Sequence, residues 1–458
     1  MIKSKTLITD FTSGSVTKQL VTFSLPLFLS SLLQVVYNMV DMVIVGQVEG
    51  EIGISAVSVG GDVSNFLTFI AIGFSNAGQI IISQYIGAGK KEQIGKFVST
   101  MTSFLMFCAF IISTFCLVFR HQILNLMNTP AESYKQALAY ATVCMMGMLF
   151  IYGYNIVGAV MRGLGDSKHP FVFISVAAIL NIILDIVFVI FFHLGAMGAA
   201  IATVISQALS FICCVIFIIK NRKRFELEFR LFDFLHIDFS MLVTLLKLGV
   251  PMAIKNASVQ FSKLFVNSWV NSYGVVVSAM AGIANKLGSI CNMFSNSVNT
   301  AGSTMVGQNI GAAKFKRVPK IMFTSFVIVF SISTCFTIIT VFFPEIVFGV
   351  FTKERAVLDI ALKFVPIAIL LYYGSAFRAA MNALINGSGN YIINFATAIL
   401  DGFVLRVGLA LLFGLVLKMD YMGFWLGDAL AGFTPFFIGS VYYLSGKWKT
   451  NKYIIKNK

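Results

Sequence analysis

Residues 84–90 read Gln-Tyr-Ile-Gly-Ala-Gly-Lys, and residues 308–314 repeat the pattern as Gln-Asn-Ile-Gly-Ala-Ala-Lys. The same offset of 224 positions relates Arg-Gly-Leu-Gly-Asp at 162–166 to Asn-Gly-Ser-Gly-Asn at 386–390. Two further matches have an offset of 225: Pro26 with Pro251, and Met197-Gly198 with Met422-Gly423. Because self-similarity at a fixed offset indicates internal duplication, the sequence predicts two homologous halves.

The composition identifies the environment of those halves. The chain has 458 residues, of which 58% are hydrophobic and 12% charged, whereas soluble domains have about 45–50% apolar and about 25% charged residues. Soluble enzymes and DNA-binding proteins are therefore excluded. A membrane helix needs roughly 20 apolar residues, and twelve such runs occur, at 19–48, 55–86, 97–119, 133–161, 171–192, 197–219, 239–273, 275–309, 319–343, 356–386, 392–417 and 422–445.

These runs predict an all-α integral membrane protein with twelve transmembrane helices in two six-helix bundles. An even number of helices gives both halves the same orientation, with a pseudo-twofold axis along the membrane normal, as in many secondary transporters. The expected domains are a first lobe at 1–219, a cytoplasmic linker at 220–238 and a second lobe at 239–458.

The net charge of +15 follows the positive-inside rule rather than a nucleic-acid surface. With the N-terminus inside, the inner segments hold 22 Lys and Arg residues and the outer segments hold six. A bias of this kind sets topology. We therefore predict that both termini are cytoplasmic and that no nucleic acid is bound.

Five polar side chains of the first half are predicted to form one layer inside the membrane. Asp41, Asp185, Thr203 and Tyr140 each lie six to eight residues below the outer end of their helices, which is roughly 10–12 Å at 1.5 Å per residue. Asn181 precedes Asp185 by one helical turn. The oxygen atoms of this layer suit Na⁺, and paired carboxylates can equally hold a proton. The alternative is a purely structural set of interhelical hydrogen bonds.

The second half has polar helix faces and basic residues in place of those acids. Two helices carry polar residues at spacings of three and four: Asn256, Gln260, Lys263, Asn267 and Asn271 on one, and Asn285, Ser289, Asn292, Asn296 and Asn299 on the other. Because lipid does not tolerate such faces, they predict a water-accessible cavity at the interface of the halves, unless they only join helices. The predicted substrate-cavity residues are Gln34, Tyr37, Asn38, Asn155, Asn256, Gln260, Lys263, Asn267, Asn292, Asn296 and Arg378.

Other intramembrane residues have roles that the sequence leaves open. The basic side chains among them are Lys255, Lys263, Lys286 and Arg406; the last could pair with Asp401 or with Asp428. Pro26 occupies a position where proline kinks a helix, so it is a candidate hinge. The four His residues lie at span ends on alternating sides, and the seven Cys lack CxxC spacing. These patterns predict neither an enzyme nor a cofactor site.

The motifs resemble those of MATE transporters, the multidrug and toxic compound extrusion family. The segment Leu25-Pro26 through Tyr37-Asn38-Met39-Val40-Asp41, followed by Val45-Gly46, resembles the first helix of the family, and the duplicated motifs resemble its loops. The resemblance implies a V-shaped antiporter in the bacterial inner membrane, functioning as a monomer. It would expel small amphiphilic, often cationic molecules in exchange for H⁺ or Na⁺, coupled through a first-lobe cluster matching Asp41, Asn181, Asp185 and Thr203, with Tyr140 nearby.

The second half departs from the family pattern. Members that couple Na⁺ through the second lobe have acids on helices 7 and 10, whereas this chain has Lys255 in that part of helix 7 and no acid within helix 10. It therefore looks closest to the branch related to the DNA-damage-inducible exporters. The basic residues also leave open an alternative function, a flippase or exporter of an anionic lipid-linked or sugar-type substrate.

Overall fold

The computed structural model describes residues 6–227, 233–234 and 236–449, and within these ranges it is helical with no strand. Six of the predicted inner basic residues lie outside the described residues: Lys3, Lys5, Arg230, Lys452, Lys456 and Lys458. So do residues 228–232 and 235 of the expected linker.

Sixteen α-helices are numbered in chain order. They are α1 Val16–Gly87, α2 Glu92–Val118, α3 Arg120–Leu126, α4 Tyr134–Met146, α5 Met148–Gly163, α6 Lys168–Asp185, α7 Gly195–Asn221, α8 Phe239–Asn271, α9 Val275–Gly311, α10 Val318–Phe342, α11 Pro344–Gly349, α12 Arg355–Gly387, α13 Tyr391–Ile399, α14 Arg406–Leu411, α15 Asp420–Ala431 and α16 Thr434–Leu444. Three π-helical segments continue α-helices, at Ile186–Phe191, Leu400–Leu405 and Leu412–Val416.

The lengths of these helices agree with the predicted membrane spans. Among the described residues, ten helical stretches are long and apolar enough to cross a membrane, and the bent pair α4–α5, with a 50° bend, makes an eleventh. The 72-residue α1 contains a non-helical residue, Gly50, with φ 64° and ψ −146°. Because α1 is two helices joined at that kink, it contributes one more span, giving the predicted twelve.

The sequence repeat corresponds to a repeated turn. Gly165 and Gly389, 224 positions apart, both adopt positive φ, at 85° and 69°. After the first, Asp166 Oδ1 accepts hydrogen bonds from two backbone N–H groups, and Asn390 Oδ1 does the same after the second. An Asp or Asn side chain here satisfies amides that a helix start leaves unpaired. The duplicated motif is thus a helix-starting turn.

The chain divides into two compact units whose borders differ from the borders of the repeats. The first unit holds Met1–Thr9, Pro26–Ile86 and Lys90–Gly249, and the second holds Asp10–Leu25, Gly87–Gly89 and Val250–Lys458. The first turns of α1 belong to the second unit, and the first turns of α8 belong to the first unit. Each helix changes units next to its proline, at Pro26 in α1 and at Pro251 in α8.

The segment before α1 is held firmly within the second unit. Phe11 is 1% exposed; its N–H donates to Gln308 Oε1 at 2.9 Å, and its carbonyl accepts from Asn309 Nδ2 at 3.1 Å. Arg317 donates to the carbonyls of Phe11, Ser13 and Gly14. The side-chain amides of Gln308 and Asn309 belong to the repeated motif at 308–314, so this copy of the motif holds the segment just before α1.

Replacing Arg317 with alanine is expected to release this segment. The change removes charge-assisted donors to three backbone carbonyls, so amide hydrogen exchange of peptides covering residues 10–14 should become several-fold faster. Lys316→Ala is the matched control because Lys316 is exposed and makes no such bonds. Equal exchange in the two variants would show that Arg317 does not hold the segment.

The end of α1 packs against α9 where the first motif meets the second. A Cβ atom added to Gly87 would collide with the backbone carbonyl of Gln308, whereas one added to Gly61 would meet no atom within 4 Å. Backbone atoms cannot swing aside as a side chain can. Gly87 is therefore required by close approach of the two helices.

Gly87→Ala is consequently expected to destabilise the protein by about 1–3 kcal/mol, the usual cost of overpacking. Gly61→Ala, in the same helix, should leave stability unchanged or slightly raised, because alanine favours the helix. The stability of both variants is measured as the temperature at which half of the protein remains monodisperse in detergent. A Gly87→Ala variant as stable as the wild type would contradict the predicted close approach.

Candidate functional site

Two acidic side chains of the first unit lie in its interior on different helices. Asp41 of α1 is 2% exposed, and Asp185, the last residue of α6, is fully buried. The chain continues from Asp185 directly into the π-helical segment Ile186–Phe191. Such segments are rare and occur often at functional sites. Two buried carboxylates are costly unless a proton or a cation neutralises them.

A chain of side-chain contacts links α6, α7 and α1. Asn181, one turn before Asp185, donates from Nδ2 to Thr203 Oγ1 at 3.4 Å, and the Thr203 hydroxyl donates to Asp41 Oδ2 at 3.3 Å. The carboxyl group of Asp185 lies close enough to that of Asp41 for their charges to interact. We call Asp41, Asn181, Asp185 and Thr203 the carboxylate cluster.

Several oxygen atoms of the carboxylate cluster are buried without a hydrogen-bond donor: Asp41 Oδ1, Asn181 Oδ1, and both Asp185 Oδ1 and Oδ2. Within the described residues, no Lys, Arg or His side chain is paired with either acid. Carboxylate and amide oxygens are ligands of hard cations, and adjacent carboxyl groups can share a proton. Chemically, the cluster can therefore hold a small cation.

Two tyrosines border the carboxylate cluster. Tyr140 of α4 is 7% exposed and lies within electrostatic range of both Asp41 and Asp185. A Cβ atom on Gly60 would collide with the Tyr140 ring, so this glycine lets the ring lie against α1. Tyr37 of α1 accepts a hydrogen bond from Gln207 Nε2 at 3.3 Å.

The other predicted first-half cavity residues stand apart from the cluster. Gln34 is half-buried and Asn38 exposed, and neither forms a hydrogen bond with a described residue. Asn155 donates to the carbonyl of Ile151 in its own helix at 2.8 Å. These three side chains are not joined to the carboxylate cluster.

Acids and bases are paired in the interior of the second unit. Arg406, 1% exposed, donates to Asp401 Oδ1 at 3.0 Å and also to Asp428 Oδ1. Asp401 lies in the π-helical segment Leu400–Leu405, and Arg406 is the residue that follows it. The sequence left open whether Arg406 pairs with Asp401 or with Asp428. In the structure it pairs with both.

A cavity lies beside the triad formed by Arg406, Asp401 and Asp428, and further basic groups line it. It is partly open to the outside, and its polar lining comprises Lys263, Asn292, Ser375, Arg378, Arg406 and Asp428. We call it the basic cavity. An adjoining pocket shares Lys263 and Asp428 and adds Asn267, Val266, Phe364 and Trp425.

The remaining predicted residues of the second half do not line these two pockets. Lys255 donates from Nζ to Asn382 Oδ1 at 2.7 Å. Asn256 is half-buried, whereas Gln260 and Asn296 are exposed. Lys286 is also exposed. Of the predicted polar faces, Lys263, Asn267 and Asn292 are brought together around the cavities, as is Asn285.

Comparison with known proteins identifies the family. A family model described as MatE matches residues 26–187 and again residues 251–412. The chain belongs to the MatE family. The two matches are 225 positions apart, the offset of the duplicated prolines. MatE membership agrees with the prediction of a multi-pass membrane transporter rather than an enzyme.

Relatives and solved structures extend over nearly the whole MatE chain. The probable multidrug resistance protein YoeA of Bacillus subtilis (strain 168) is 29% identical, with 90% of each chain covered. The multidrug export protein MepA of Staphylococcus aureus (strain NCTC 8325) is 26% identical over 86% of this chain and 87% of that one. A MOP superfamily transporter from Pyrococcus furiosus Vc1 has a TM-score of 0.88 at 21% identity, covering 99% and 100% of the two chains.

Two residues of this MatE protein were missed by the sequence reasoning. Gln207 lies one turn after Thr203 on α7 and reaches Tyr37, and Asn382 of α12 holds the Lys255 ammonium. Gln207 could have been predicted from its position four residues after Thr203, because residues four apart lie on the same face of a helix. Asn382 is 127 positions from Lys255, and only tertiary packing brings them together.

Proposed function

We propose that this MatE protein is a secondary active multidrug efflux antiporter that exports small amphiphilic molecules in exchange for H⁺ or Na⁺. The coupling ion would bind at the carboxylate cluster, with Tyr140 beside it, and Pro26 would act as a hinge during alternating access. We further propose that the protein works as a monomer in the bacterial inner membrane with both termini cytoplasmic. The relatives YoeA and MepA, named as multidrug proteins, support this type of transport.

The observation that carries the proposal is the pair of buried carboxyl groups without a basic partner. In the second unit, Asp401 and Asp428 are each paired with Arg406. In the first unit, Asp41 and Asp185 lie within electrostatic range of each other, and three of their four oxygens lack a donor. A permanent structural role would favour a built-in counter-charge, whereas a site that loads and unloads a cation needs an open one.

A second candidate function is suggested by the excess of basic groups in the second unit. Among Lys255, Lys263 and Arg378, none forms an ion pair with a described residue. Uncompensated positive charge repels a cationic substrate and attracts an anionic one in a medium of low dielectric. The alternative function is therefore an exporter or flippase of an anionic lipid-linked or sugar-type substrate.

Transport into proteoliposomes tests the first proposal. Vesicles containing the protein are loaded either with Na⁺ at equal pH or with acidic, Na⁺-free buffer, and the entry of ethidium is followed by fluorescence with DNA trapped inside. Antiport predicts that one of the two gradients accelerates entry over vesicles without a gradient. Collapsing that gradient with monensin or nigericin should abolish the acceleration.

The outcome also separates the two candidate functions. If neither the Na⁺ gradient nor the pH gradient accelerates the entry of ethidium or of an anionic dye such as carboxyfluorescein, the proposal of gradient-driven antiport is wrong. If a gradient drives only the anionic dye, antiport stands and the cationic substrate class is wrong.

A further inference from the structure

We infer that the basic cavity of the second unit is a binding site for a compact organic anion that carries an aromatic or other apolar group. The inference deepens the proposed transport function by naming a ligand class, and it rests on that function only for its physiological meaning. The binding site itself is argued from charge, hydrogen bonding and the lining of the two adjoining pockets.

The charges around the basic cavity do not balance. Three basic side chains line it (Lys263, Arg378 and Arg406), against two acids, Asp428 in the lining and Asp401 paired with Arg406. Both acids are hydrogen-bonded to Arg406. The surplus is therefore one positive charge in a partly buried region, where unpaired charges are disfavoured. A bound anion would reduce it.

The surplus charge points into the cavity and is free to bind. The Lys263 ammonium donates no hydrogen bond to a described residue, and Lys263 lines both pockets. Arg378 makes one long hydrogen bond, from Nε to the carbonyl of Gly432 at 3.4 Å. Most of its guanidinium donors are thus available, and a guanidinium fork matches the geometry of a carboxylate or phosphate. Asn292, on the same wall, adds an amide donor.

The adjoining pocket accounts for the apolar part of the ligand. Beyond Lys263 its wall includes Val266, Phe364 and Trp425, and the two aromatic rings pack edge to face with centroids 5.1 Å apart. Small-molecule sites typically combine such apolar walls with a few placed polar groups. A molecule with its anionic group at Lys263 and Arg378 can place a ring against these walls.

A matched set of probes tests the inference by equilibrium binding. The full-length protein, in nanodiscs of zwitterionic lipid, is titrated calorimetrically with 2-naphthoate, with its neutral amide and with the cationic 2-naphthylmethylammonium. We expect 2-naphthoate to bind at least tenfold more tightly than the other two. Lys263→Gln and Arg378→Gln should each weaken naphthoate binding about tenfold or more, and Lys263→Arg should restore most of it. Lys286→Gln, an exposed lysine of α9 outside both pockets, is the control.

Two outcomes would overturn the inference: equal affinity for the three probes, or naphthoate affinity that is unchanged in both folded Gln variants. If a Gln variant does not yield monodisperse protein, the comparison of the three probes on wild-type protein decides alone. No ion gradient is present in this assay. A failure of coupling at the carboxylate cluster therefore leaves the result unchanged, and loss of naphthoate binding leaves the coupling proposal standing.

Discussion

Asp41→Asn and Asp185→Asn are each expected to reduce gradient-driven efflux more than tenfold while the protein still folds. Asparagine keeps the size and the hydrogen-bonding reach of the side chain but removes the charge that attracts the coupling ion. It also leaves one carboxyl group without its neighbour, so the pair can no longer share a proton. Proteoliposome transport, driven separately by Na⁺ and by pH gradients, measures the loss.

The matched control is Asp62→Asn, which changes an exposed acid of α1, beyond the kink at Gly50, that has no contact with the carboxylate cluster. Efflux by this variant should equal that of the wild type. Unchanged efflux in Asp41→Asn or Asp185→Asn would refute coupling through these acids. Equal loss in all three variants would indicate a general effect of charge on the protein rather than a coupling site.

Arg406→Met is expected to cause the largest loss of stability among single substitutions in the second unit. It leaves Asp401 and Asp428 buried without their shared partner, and breaking a buried ion pair from one side typically costs about 3–5 kcal/mol. The temperature at which half of the protein remains monodisperse in detergent should fall accordingly. Replacing both acids by asparagine in the same chain should recover much of the loss.

Arg355→Met provides the comparison for an exposed ion pair. Arg355 lies 3.7 Å from Glu345, and the two side chains are 79% and 67% exposed. Exposed pairs contribute little to stability, so this variant should melt close to the wild type. If Arg406→Met melts equally high, the buried triad does not stabilise the second unit.

The sequence was sufficient for the fold because the fold depends on local patterns. Apolar runs of membrane length predicted twelve spans, and the repeats predicted two related halves. Counting residues from the helix ends predicted that Asp41, Asn181, Asp185 and Thr203 share one layer. In the structure, hydrogen bonds join Asn181, Thr203 and Asp41, and Asp185 lies within electrostatic range of Asp41. That inference worked because helical rise is regular and the helices all cross one slab.

Features that depend on packing between distant helices were not accessible in this way. Helical spacing gave Asn256 to Asn271 one polar face, yet only Lys263 and Asn267 of that series line the cavities. Likewise, nothing in the sequence around Arg406 indicated that one guanidinium would serve both Asp401 and Asp428. Such choices are decided by the angles at which helices cross and by π-helical segments, which shift side chains away from the regular α-helical spacing.

The first turns of α1 belong to the second unit and the first turns of α8 belong to the first unit. This arrangement has a consequence for how the protein can be divided. A cut in the linker would separate the two sequence repeats, but the fragment before it would keep Asp10–Leu25, which packs with the second unit. The fragment after the cut would keep the first turns of α8, which pack with the first unit. Neither half-chain would therefore carry a complete core. Separately expressed halves should depend on each other for stability, as partners in a domain-swapped dimer do.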